Sequence, residues 1–440
     1  MITIILKYKM KMKSQLKSPW ILIVAMGLFC LITLSMQNPN SEKTQITIKS
    51  GQTGLMTQII QNAIDSCAAK GGGVVIFPSG IYRTGGIELK SNVTLRLEKG
   101  TLIQGSDKYA DYKNDALIYG KDLSNIAIQG EGTIDGVNCR NSDGEEGFRG
   151  PHCIRFVNCK HISLKDFTIK NSANWGLNMR YCSFGNVERV KIRAGHDGLH
   201  TRFCDNFTVS GCDFRTGDDA FAGNDNQNFS ITDCRINSAC NGIRMGCKNL
   251  RVERCEFWGP AQYIHKISKR KNMLCAFAHF SPDDENSKIV SGNWIIKDVT
   301  IDNVDFVYMY NFNNGLWQTG QPVSTVSFEN VRAKVIGTAF YINGGNNKDF
   351  QLNIKNSSFS HRGGKYIEPP VFEDAKLGSA KFFDATNFKS IKFDHVTFDV
   401  ASPDVVVNAS NGELVHFKNL KITPDSTSNS FNYFNIKQIK

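Results

Sequence analysis

The chain has 440 residues, of which 41% are apolar and 21% charged, with 38 Gly and only 11 Pro. This composition is ordinary for a folded globular protein and excludes a disordered chain, a collagen-like chain and a polytopic membrane protein. The formal net charge is +11, but five lysines between residues 7 and 17 contribute much of it, and no basic run exceeds three residues, so nucleic acid is not an expected partner.

The amino-terminal segment has the pattern of an export signal. Residues 21–34 read ILIVAMGLFCLITL and follow a lysine-rich stretch. This run is shorter than the about 20 residues that cross a bilayer, but it has the length of a signal-peptide core. The small residue Ser35 follows it, and Thr33 lies two residues before Ser35, as at a cleavage site. The sequence therefore predicts a signal peptide over residues 1–36, a secreted or periplasmic protein and no stable membrane insertion, with an uncleaved anchor as the alternative.

One helical pattern precedes the rest of the chain. Apolar residues recur there at i, i+3, i+4 spacing, and three glycines at 71–73 end the pattern. The residues that form this apolar stripe are Leu55, Met56, Ile59, Ile60, Ala63, Ile64 and Cys67. Because the open end of a solenoid needs a cover, we expect this helix to be an N-terminal cap.

A repeat of about 22 residues organises the middle of the chain. Each repeat carries a short alternating run, a turn and a second short run. Two sets of residues recur at intervals of 22 and 21, namely Cys212, Cys234 and Cys255, and Asn206, Asn228 and Asn249. Repetition at this period, with β-branched runs and no helical pattern, predicts an all-β fold in which parallel strands form a β-helix solenoid.

The repeat also indicates the domain organisation. The same style continues from about Trp294 to the C-terminus with looser spacing, whereas residues 259–290 break the period. We therefore expect a single domain over residues 41–440, with a loop or lateral insertion at 259–290. Stacked coils place the cysteine column in the core as small apolar side chains, and disulfides between stacked neighbours are the alternative.

Three aspartates are brought together by the 22-residue shift. This shift places Asp197 beneath Asp219 and His196 beneath Asp218. The columns extend to two sets of residues: Asn174, His196, Asp218 and Cys240, and Trp175, Asp197, Asp219 and Asn241.

Three neighbouring carboxylates repel one another, so the pKa of at least one of them should rise. Such a cluster supplies a protonated carboxyl for a leaving oxygen and ionised ones that activate water. Turn capping and Ca²⁺ binding are the alternatives.

Four motifs follow one another along the first half of the chain. They are the stretch from GGGVVIFPSGIYRTGG to GSDKYADY, then GEGTIDG, AGHDGLHT and RTGDDAFAG. In sequence and order they resemble the motifs of the polygalacturonase-like glycoside hydrolases, family 28, and the first stretch resembles the amino-terminal signature of that family. The resemblance covers roughly residues 45–260. It implies a right-handed parallel β-helix and inverting hydrolysis of a polysaccharide or oligosaccharide without a metal or other cofactor. It also implies that Asp218 is the general acid and that Asp197 and Asp219 activate the water.

The chain departs from the family pattern at substrate-contacting positions. The family's Asn-Thr-Asp is 195–197, Gly-His-Asp, and its Gly-His-Gly is 240–242, Cys-Asn-Gly, while the Arg-Ile-Lys tripeptide has no clear counterpart. The residues that we expect to contact substrate in their place are His196, Asn241, Arg244, Trp175, His265 and Lys266. Retained acids with altered neighbours indicate a changed specificity.

The sequence thus predicts a secreted, monomeric glycoside hydrolase that acts on an acidic, pectin-like polysaccharide. Two alternatives remain open at this point. A β-helix polysaccharide lyase would use the three aspartates as Ca²⁺ ligands and Arg244 or Lys266 as the base. A non-catalytic β-helix would bind glycan without turning it over.

Overall fold

The computed structural model describes residues 44–282, 286–287, 289–312, 320–363, 381–400, 406–423 and 431–440. The predicted signal peptide, residues 1–36, lies outside these ranges. Gln45–Lys440 forms one compact unit. No helix within the described ranges is both long enough and apolar enough to cross a membrane.

Thirty-six strands, one α-helix and three 3-10 helices, at Tyr109–Asp111, Lys113–Asp115 and Glu145–Gly147, make up the regular structure of the described residues. The helix α1 is Thr57–Ala69. The first twelve strands are β1 Thr44–Thr47, β2 Gly73–Phe77, β3 Gly80–Thr84, β4 Ile87–Glu88, β5 Val93–Leu97, β6 Thr101–Gly105, β7 Ala116–Lys121, β8 Ser124–Gln129, β9 Thr133–Asp135, β10 His152–Val157, β11 Lys160–Lys165 and β12 Thr168–Lys170. The next eleven are β13 Leu177–Arg180, β14 Ser183–Glu188, β15 Lys191–Ala194, β16 Leu199–Arg202, β17 Asp205–Ser210, β18 Asp213–Thr216, β19 Phe221–Thr232, β20 Arg235–Ser238, β21 Asn241–Glu253, β22 Glu256–Trp258 and β23 Met273–His279. The last thirteen are β24 Gly292–Lys297, β25 Thr300–Asp302, β26 Val304–Asn311, β27 Thr325–Glu329, β28 Arg332–Ile336, β29 Thr338–Asn343, β30 Gln351–His361, β31 Lys381–Thr386, β32 Ser390–Asp399, β33 Val406–Ser410, β34 Leu414–Thr423, β35 Phe431–Phe434 and β36 Gln438–Ile439.

The strands pair in parallel to form three sheets, so the fold is a right-handed parallel β-helix, as predicted. Sheet A contains β2, β5, β8, β11, β14 and β17 and continues through β24 and β27. Sheet B contains β3, β6, β9, β12, β15, β18, β20, β22, β25 and β28. Sheet C contains β4, β7, β10, β13, β16, β23, β26, β29, β31, β33 and β35. The long strands β19 and β21 turn the corner from sheet C into sheet A, with a register shift in β19 between Gly223 and Asn226.

Alternating burial explains why these sequences form coils. In β17, Phe207 and Val209 are buried whereas Thr208 between them is exposed. They pair in register with Phe229 and Ile231 of the next coil, and the two phenylalanine rings stack at 5.1 Å. Like side chains therefore lie on one another along the solenoid axis, and each coil buries the apolar face of its neighbour.

The two recurring polar and sulfur columns lie where the period predicts. All twelve cysteines from Cys67 to Cys275 are buried and free. The column of Cys212, Cys234 and Cys255 therefore consists of packed thiols and contains no disulfide. Asn206, Asn228 and Asn249 have positive φ angles of 57°, 57° and 61°, which asparagine tolerates better than most residues. The Nδ2 group of Asn249 donates to Oδ1 of Asn228 at 2.8 Å.

The helix α1 packs against β2, β4 and β5 and covers the first coil. Ile60, Ala63, Ile64 and Cys67 are its buried residues, as its apolar spacing predicts. Leu55 and Ile59, which the sequence pattern also assigns to the apolar stripe, are 43% and 39% exposed. The buried stripe is therefore narrower than predicted, because a cap on a flat coil end contacts only one side of the helix.

The segment predicted as a loop or insertion contains one strand of the solenoid. Residues 259–272 contain no strand, but Met273–His279 is a fully buried strand that pairs with β21 and β26. The sequence period hides this strand because the preceding loop lengthens the coil. This loop, residues 259–272, is called the lateral loop below.

Candidate active site

The three aspartates lie at the corner where sheet B turns into sheet C. Residues 195–198 connect β15 to β16, and residues 217–220 connect β18 to β19. Leu199 pairs with Phe221 in the next coil, so Asp197 lies directly beneath Asp219, as the 22-residue shift predicts. The Gly198 amide donates to the Asp219 carbonyl at 2.9 Å, which fixes this stacking through the backbone.

Two glycines let the lateral loop approach this corner closely. A Cβ atom on Gly217 would meet the Gly195 carbonyl oxygen at 2.6 Å and the Ile264 carbonyl oxygen at 2.9 Å. A Cβ atom on Gly195 would lie 2.6 Å from Cε of Lys266. Larger residues at these positions would displace the loop, so glycine is required here by close approach.

The lateral loop is fastened to the coils at both ends. Near its start, the Gln262 amide donates to Oδ1 of Asn237 at 2.7 Å. Near its end, Nη1 of Arg270 lies 3.4 Å from Oδ2 of Asp305 in a buried ion pair. These contacts hold the intervening residues, which include His265 and Lys266, against the carboxylate corner.

The three carboxylates form one cluster with unequal exposure. One oxygen from each of Asp197, Asp218 and Asp219 lies within 4.8 Å of the others. The side chain of Asp218 is 16% exposed, whereas those of Asp197 and Asp219 are 4% and 1% exposed. Asp218 is therefore the member of the cluster that solvent or a ligand reaches most easily.

Asp219 is held by hydrogen bonds from the next coil. Its Oδ1 accepts from the backbone amide of Asn241 at 3.1 Å and from Nδ2 of Asn241 at 2.6 Å. Its Oδ2 accepts from Nε of Arg244. Burial nevertheless raises the pKa of Asp219, because desolvation outweighs the attraction of the guanidinium. Arg244 also packs over the ring of Phe280, with its guanidinium carbon 4.3 Å from the ring centre.

Asp197 is bound to a histidine that itself stacks on a tryptophan. Nδ1 of His200 lies 2.8 Å from Oδ2 of Asp197, and the His200 ring stacks on Trp175 at 3.6 Å with an interplanar angle of 5°. Burial, followed by the charges of Asp218 and Asp219, raises the pKa of Asp197 well above its usual value. Burial lowers the pKa of His200 well below its usual value, so this ring is neutral.

Asp218 faces a guanidinium and an imidazole from two loops. Nη2 of Arg149 lies 3.5 Å from its Oδ2, and Nε2 of His265 lies 3.5 Å from its Oδ1. Nδ1 of His265 accepts from the Ser268 amide at 3.0 Å, so in the neutral ring the proton is on Nε2 and faces Asp218. Burial alone would raise the pKa of Asp218, but His265, Arg244 and Arg149 together lower it.

His196 contacts the lateral loop and not the aspartate above it. Its Nε2 lies 2.8 Å from Nζ of Lys266, and its ring stacks on Phe148 at 5.8 Å. Burial, followed by the positive charges of Lys266 and Arg149, lowers the pKa of His196 to about 2. The ring is therefore neutral, and its Nε2 accepts a hydrogen bond from the Lys266 ammonium.

The structure brings all nine residues singled out in the sequence into one corner of the solenoid. They are Trp175, His196, Asp197, Asp218, Asp219, Asn241, Arg244, His265 and Lys266. The sequence predicts that Arg244 contacts substrate. In the structure its Nε instead donates to Asp219, so this cation is not free.

Sequence reasoning missed Arg149 as a neighbour of Asp218 and did not assign His200 to Asp197. Arg149 lies in a loop before β10 and is 7% exposed, with Nε 2.9 Å from Oε2 of Glu146. In the sequence, the one indication that Arg149 belongs to this corner is its position about one coil before Asn174. His200 lies three residues after Asp197, which places it on β16 next to the cluster.

The donor set is a poor fit for a calcium ion. Ca²⁺ takes six to eight oxygen ligands, whereas this corner carries the guanidinium groups of Arg149 and Arg244 among the carboxylates. Both oxygens of Asp219 already accept hydrogen bonds from Asn241 and Arg244. A second group of potential metal donors consists of Asp218, Cys240 and His265.

Comparisons with known proteins agree with the sequence motifs. The model of the family "Glycosyl hydrolases family 28" matches residues 67–256. An exo-poly-alpha-D-galacturonosidase from Dickeya chrysanthemi is 36% identical over 152 residues, which cover 29% of this chain and 25% of that protein. A probable polygalacturonase from Vitis vinifera is 25% identical over 173 residues, which cover 33% of this chain and 35% of that protein. The chain thus spans about a quarter to a third of the length of these relatives.

A solved structure has the same fold. The family 28 exopolygalacturonase of Yersinia enterocolitica superposes with a TM-score of 0.55 at 16% sequence identity, covering 90% of this chain and 78% of that one. At this identity the likeness concerns the fold of the two chains.

Proposed function

The chain belongs to glycosyl hydrolases family 28, and from this premise we propose that it hydrolyses glycosidic bonds of an acidic, pectin-like polysaccharide or oligosaccharide. The observation that carries the proposal is the carboxylate cluster, in which Asp218 is accessible and Asp197 and Asp219 are buried within 4.8 Å of it. Acid- and base-assisted glycoside hydrolysis uses carboxyl groups in these two environments.

Asp218 is the general acid in this proposal. It is the most exposed of the three carboxyl groups, so it is the one that a glycosidic oxygen approaches most easily. Asp197 and Asp219 lie stacked in adjacent coils and orient the attacking water, which loses a proton to this pair as it adds to the anomeric carbon. Asp218 gives its proton to the departing oxygen, so each turnover releases one new reducing end.

The proton has to be on Asp218 when the bond breaks. In the unliganded protein the pKa of Asp218 is lowered and that of Asp197 is raised, so the cluster's proton is on the buried side. A bound acidic sugar that pairs with Arg149 would remove positive charge from Asp218 and raise its pKa. The proposed mechanism requires that the cluster's proton be on Asp218 once substrate is bound, which leaves Asp197 ionised to accept a proton from the attacking water.

The surrounding side chains bind the sugar. The indole of Trp175 lies between the ring of His200, stacked on it at 3.6 Å, and the ring of His152 at 5.1 Å, so its partly exposed edge is what it offers to a sugar. Arg244 and Lys266 supply the positive charge that an acidic sugar requires, and the imidazole of His265 lies beside Asp218 in the same corner. His196 and Asn241, which stand where the family carries other residues, are 1% and 0% exposed, so they act on the sugar indirectly by positioning Lys266 and Asp219 and do not contact it as the sequence predicts.

The proposed hydrolysis inverts the configuration at the anomeric carbon. Family resemblance implies inversion, in which the carboxyl groups usually stand about 6.5–9.5 Å apart to admit a water molecule. Single oxygen atoms of the three carboxylates here approach within 4.8 Å. Proton NMR of the first product decides the matter, because an inverting enzyme releases the anomer opposite to the linkage cleaved.

The substrate class is tested with a panel of polymers. Purified protein is incubated with polygalacturonate and several rhamnogalacturonans, and new reducing ends are measured. We expect release from at least one acidic polymer and no near-ultraviolet absorbance from an unsaturated product. An absorbing product that disappears with a chelator would indicate a lyase instead. Glycan binding that is equal in the parent and an Asp218→Asn variant, with turnover by neither, would indicate a non-catalytic binding protein.

We further propose that the protein is exported by the signal peptide at residues 1–36 and acts outside the cell or in the periplasm. In this proposal residues 41–440 fold as one domain, the protein is a monomer, and its partner is the polysaccharide and not nucleic acid. Size-exclusion chromatography with light scattering and N-terminal sequencing of the exported protein test the oligomeric state and the cleavage site.

A further inference from the structure

A positively charged pocket lies beside the carboxylate cluster. It has a volume of about 320 Å³ and is formed by the lateral loop, the loop before β10 and the turn before β13. Its lining residues are Asn138, Arg140, Phe148, Ala173, Lys266 and Lys269. Three of the six carry positive charge and none is acidic.

The pocket cations have no carboxylate partner among the residues that the structure describes. The Lys266 ammonium donates to the neutral Nε2 of His196 at 2.8 Å, and that of Lys269 donates to the Lys266 carbonyl oxygen. Burial, followed by the charges of Arg149 and Arg140, lowers the pKa of Lys266 to about 8. Lys266 is half-buried and Arg140 and Lys269 are exposed around it, and an anion that joins these like charges would reduce their repulsion.

The pocket is continuous with the catalytic corner. His196, which receives the Lys266 hydrogen bond, lies one coil beneath Asp218. Phe148, which lines the pocket, precedes Arg149, and the guanidinium of Arg149 lies 3.5 Å from Asp218. A sugar that enters the pocket would therefore be adjacent to the sugar whose bond is cleaved.

We propose that this pocket binds an anionic substituent, a carboxylate or a sulfate ester, on the sugar next to the scissile bond. The inference deepens the proposed function and rests on it. Lys266, Arg140 and Lys269 supply the charge, and the ring of Phe148 supplies an apolar surface for the pyranose. In this proposal the lateral loop supplies two of the cations that bind the anion, and it replaces the Arg-Ile-Lys tripeptide of the family, which has no clear counterpart in this chain.

Calorimetric binding to catalytically silenced protein tests the pocket without turnover. Trigalacturonate, its methyl ester and a sulfated neutral trisaccharide are titrated into Asp218→Asn and into Asp218→Asn with Lys266→Gln. We expect the acid to bind Asp218→Asn about tenfold more tightly than the ester, and Lys266→Gln to lose that difference. The sulfated ligand reports whether the pocket accepts any anion or the carboxylate alone.

A matched control lies on the same loop. Lys271 is exposed and does not line the pocket, so Lys271→Gln should change the affinity less than twofold. Equal affinities for acid and ester, equal losses in the two lysine variants, or no measurable binding of either anionic ligand would overturn the proposal. Hydrolysis without such discrimination would leave the proposed function standing and remove the pocket's role, so the two failures are distinguishable.

The pH dependence of binding gives a second readout. The charges of Arg149 and Arg140 disfavour the Lys266 ammonium, whereas the charge of Glu146 and the hydrogen bond to the neutral ring of His196 favour it. Because the ammonium is charged below a pKa of about 8, affinity for the acid should fall as pH rises through that value. The Lys266→Gln variant should lack this fall, and an identical fall in both proteins would contradict the assignment.

Discussion

Nε2 of His265 lies 3.5 Å from Oδ1 of Asp218, although one residue belongs to the lateral loop and the other to a coil turn. The ring is fixed from its far side, where the Ser268 amide donates to Nδ1. His265 is therefore a positioning residue for the proposed acid, and it also lowers the pKa of that acid.

Replacing His265 should change both the rate and its pH dependence. In His265→Ala the acid loses a hydrogen-bond donor, so the pKa of Asp218 should rise and the alkaline limb of kcat should move to higher pH. The maximum rate should fall about tenfold to a hundredfold, because the acid is no longer oriented. His265→Gln, which retains a donor, should recover part of the rate. A uniform loss at every pH would indicate a purely structural residue.

The buried carboxyl groups predict how activity responds to pH. The pKa of Asp197 is raised, so its proton is lost at higher pH than the about 3.9 of an ordinary aspartate. Since hydrolysis needs one proton in the cluster, kcat/KM should persist well above that pH and decline only when the proton leaves. The pH profile of kcat/KM checks this. An alkaline limb centred near pH 4 would show that the cluster does not hold its proton.

Arg244 should matter to stability as well as to activity, because it neutralises a carboxylate that is 1% exposed. Arg244→Met leaves Asp219 buried without its guanidinium, which should cost about 3–5 kcal/mol in the free energy of unfolding. Urea denaturation measures the change. The double variant Asp219→Asn with Arg244→Met should recover much of the loss, whereas simple addition of the two single losses would show that the residues are not coupled.

The stacked core should be sensitive to loss of one ring. Phe229 is 1% exposed and stacks on Phe207 at 5.1 Å, so Phe229→Ala should lower the free energy of unfolding by about 3–5 kcal/mol. Phe184 is 52% exposed, and Phe184→Ala should change stability by no more than about 0.5 kcal/mol. Similar losses in the two variants would mean that the coils are not packed as described.

The repeat made the coil positions predictable from the sequence. Asp197 and Asp219 are vertical neighbours because they are separated by 22 residues, which is the length of one coil. The observed pairing of Leu199 with Phe221 has the same separation. Helix α1 was predictable from its apolar spacing. Both are periodic properties, so local sequence is sufficient to find them.

Contacts from loops were not predictable in the same way. Arg149 and His265 reach Asp218 from segments that have no period, and their positions depend on long-range contacts such as that between Arg270 and Asp305. The pairing of Arg244 with Asp219 also depends on the choice of side-chain rotamer and on burial, which spacing does not specify. Period locates the carboxylates, whereas tertiary packing decides which cation faces which acid.

Asp218 is the residue on which the proposed hydrolysis depends most directly. Reducing-end release from the responding polymer should be compared in the parent, in Asp218→Asn and in Asp205→Asn, a control carboxylate in the same coil. The role of Asp218 as the general acid predicts that Asp218→Asn loses about 10²–10⁴-fold in kcat with its unfolding unchanged, while Asp205→Asn retains the parent rate. Full activity in folded Asp218→Asn would contradict it.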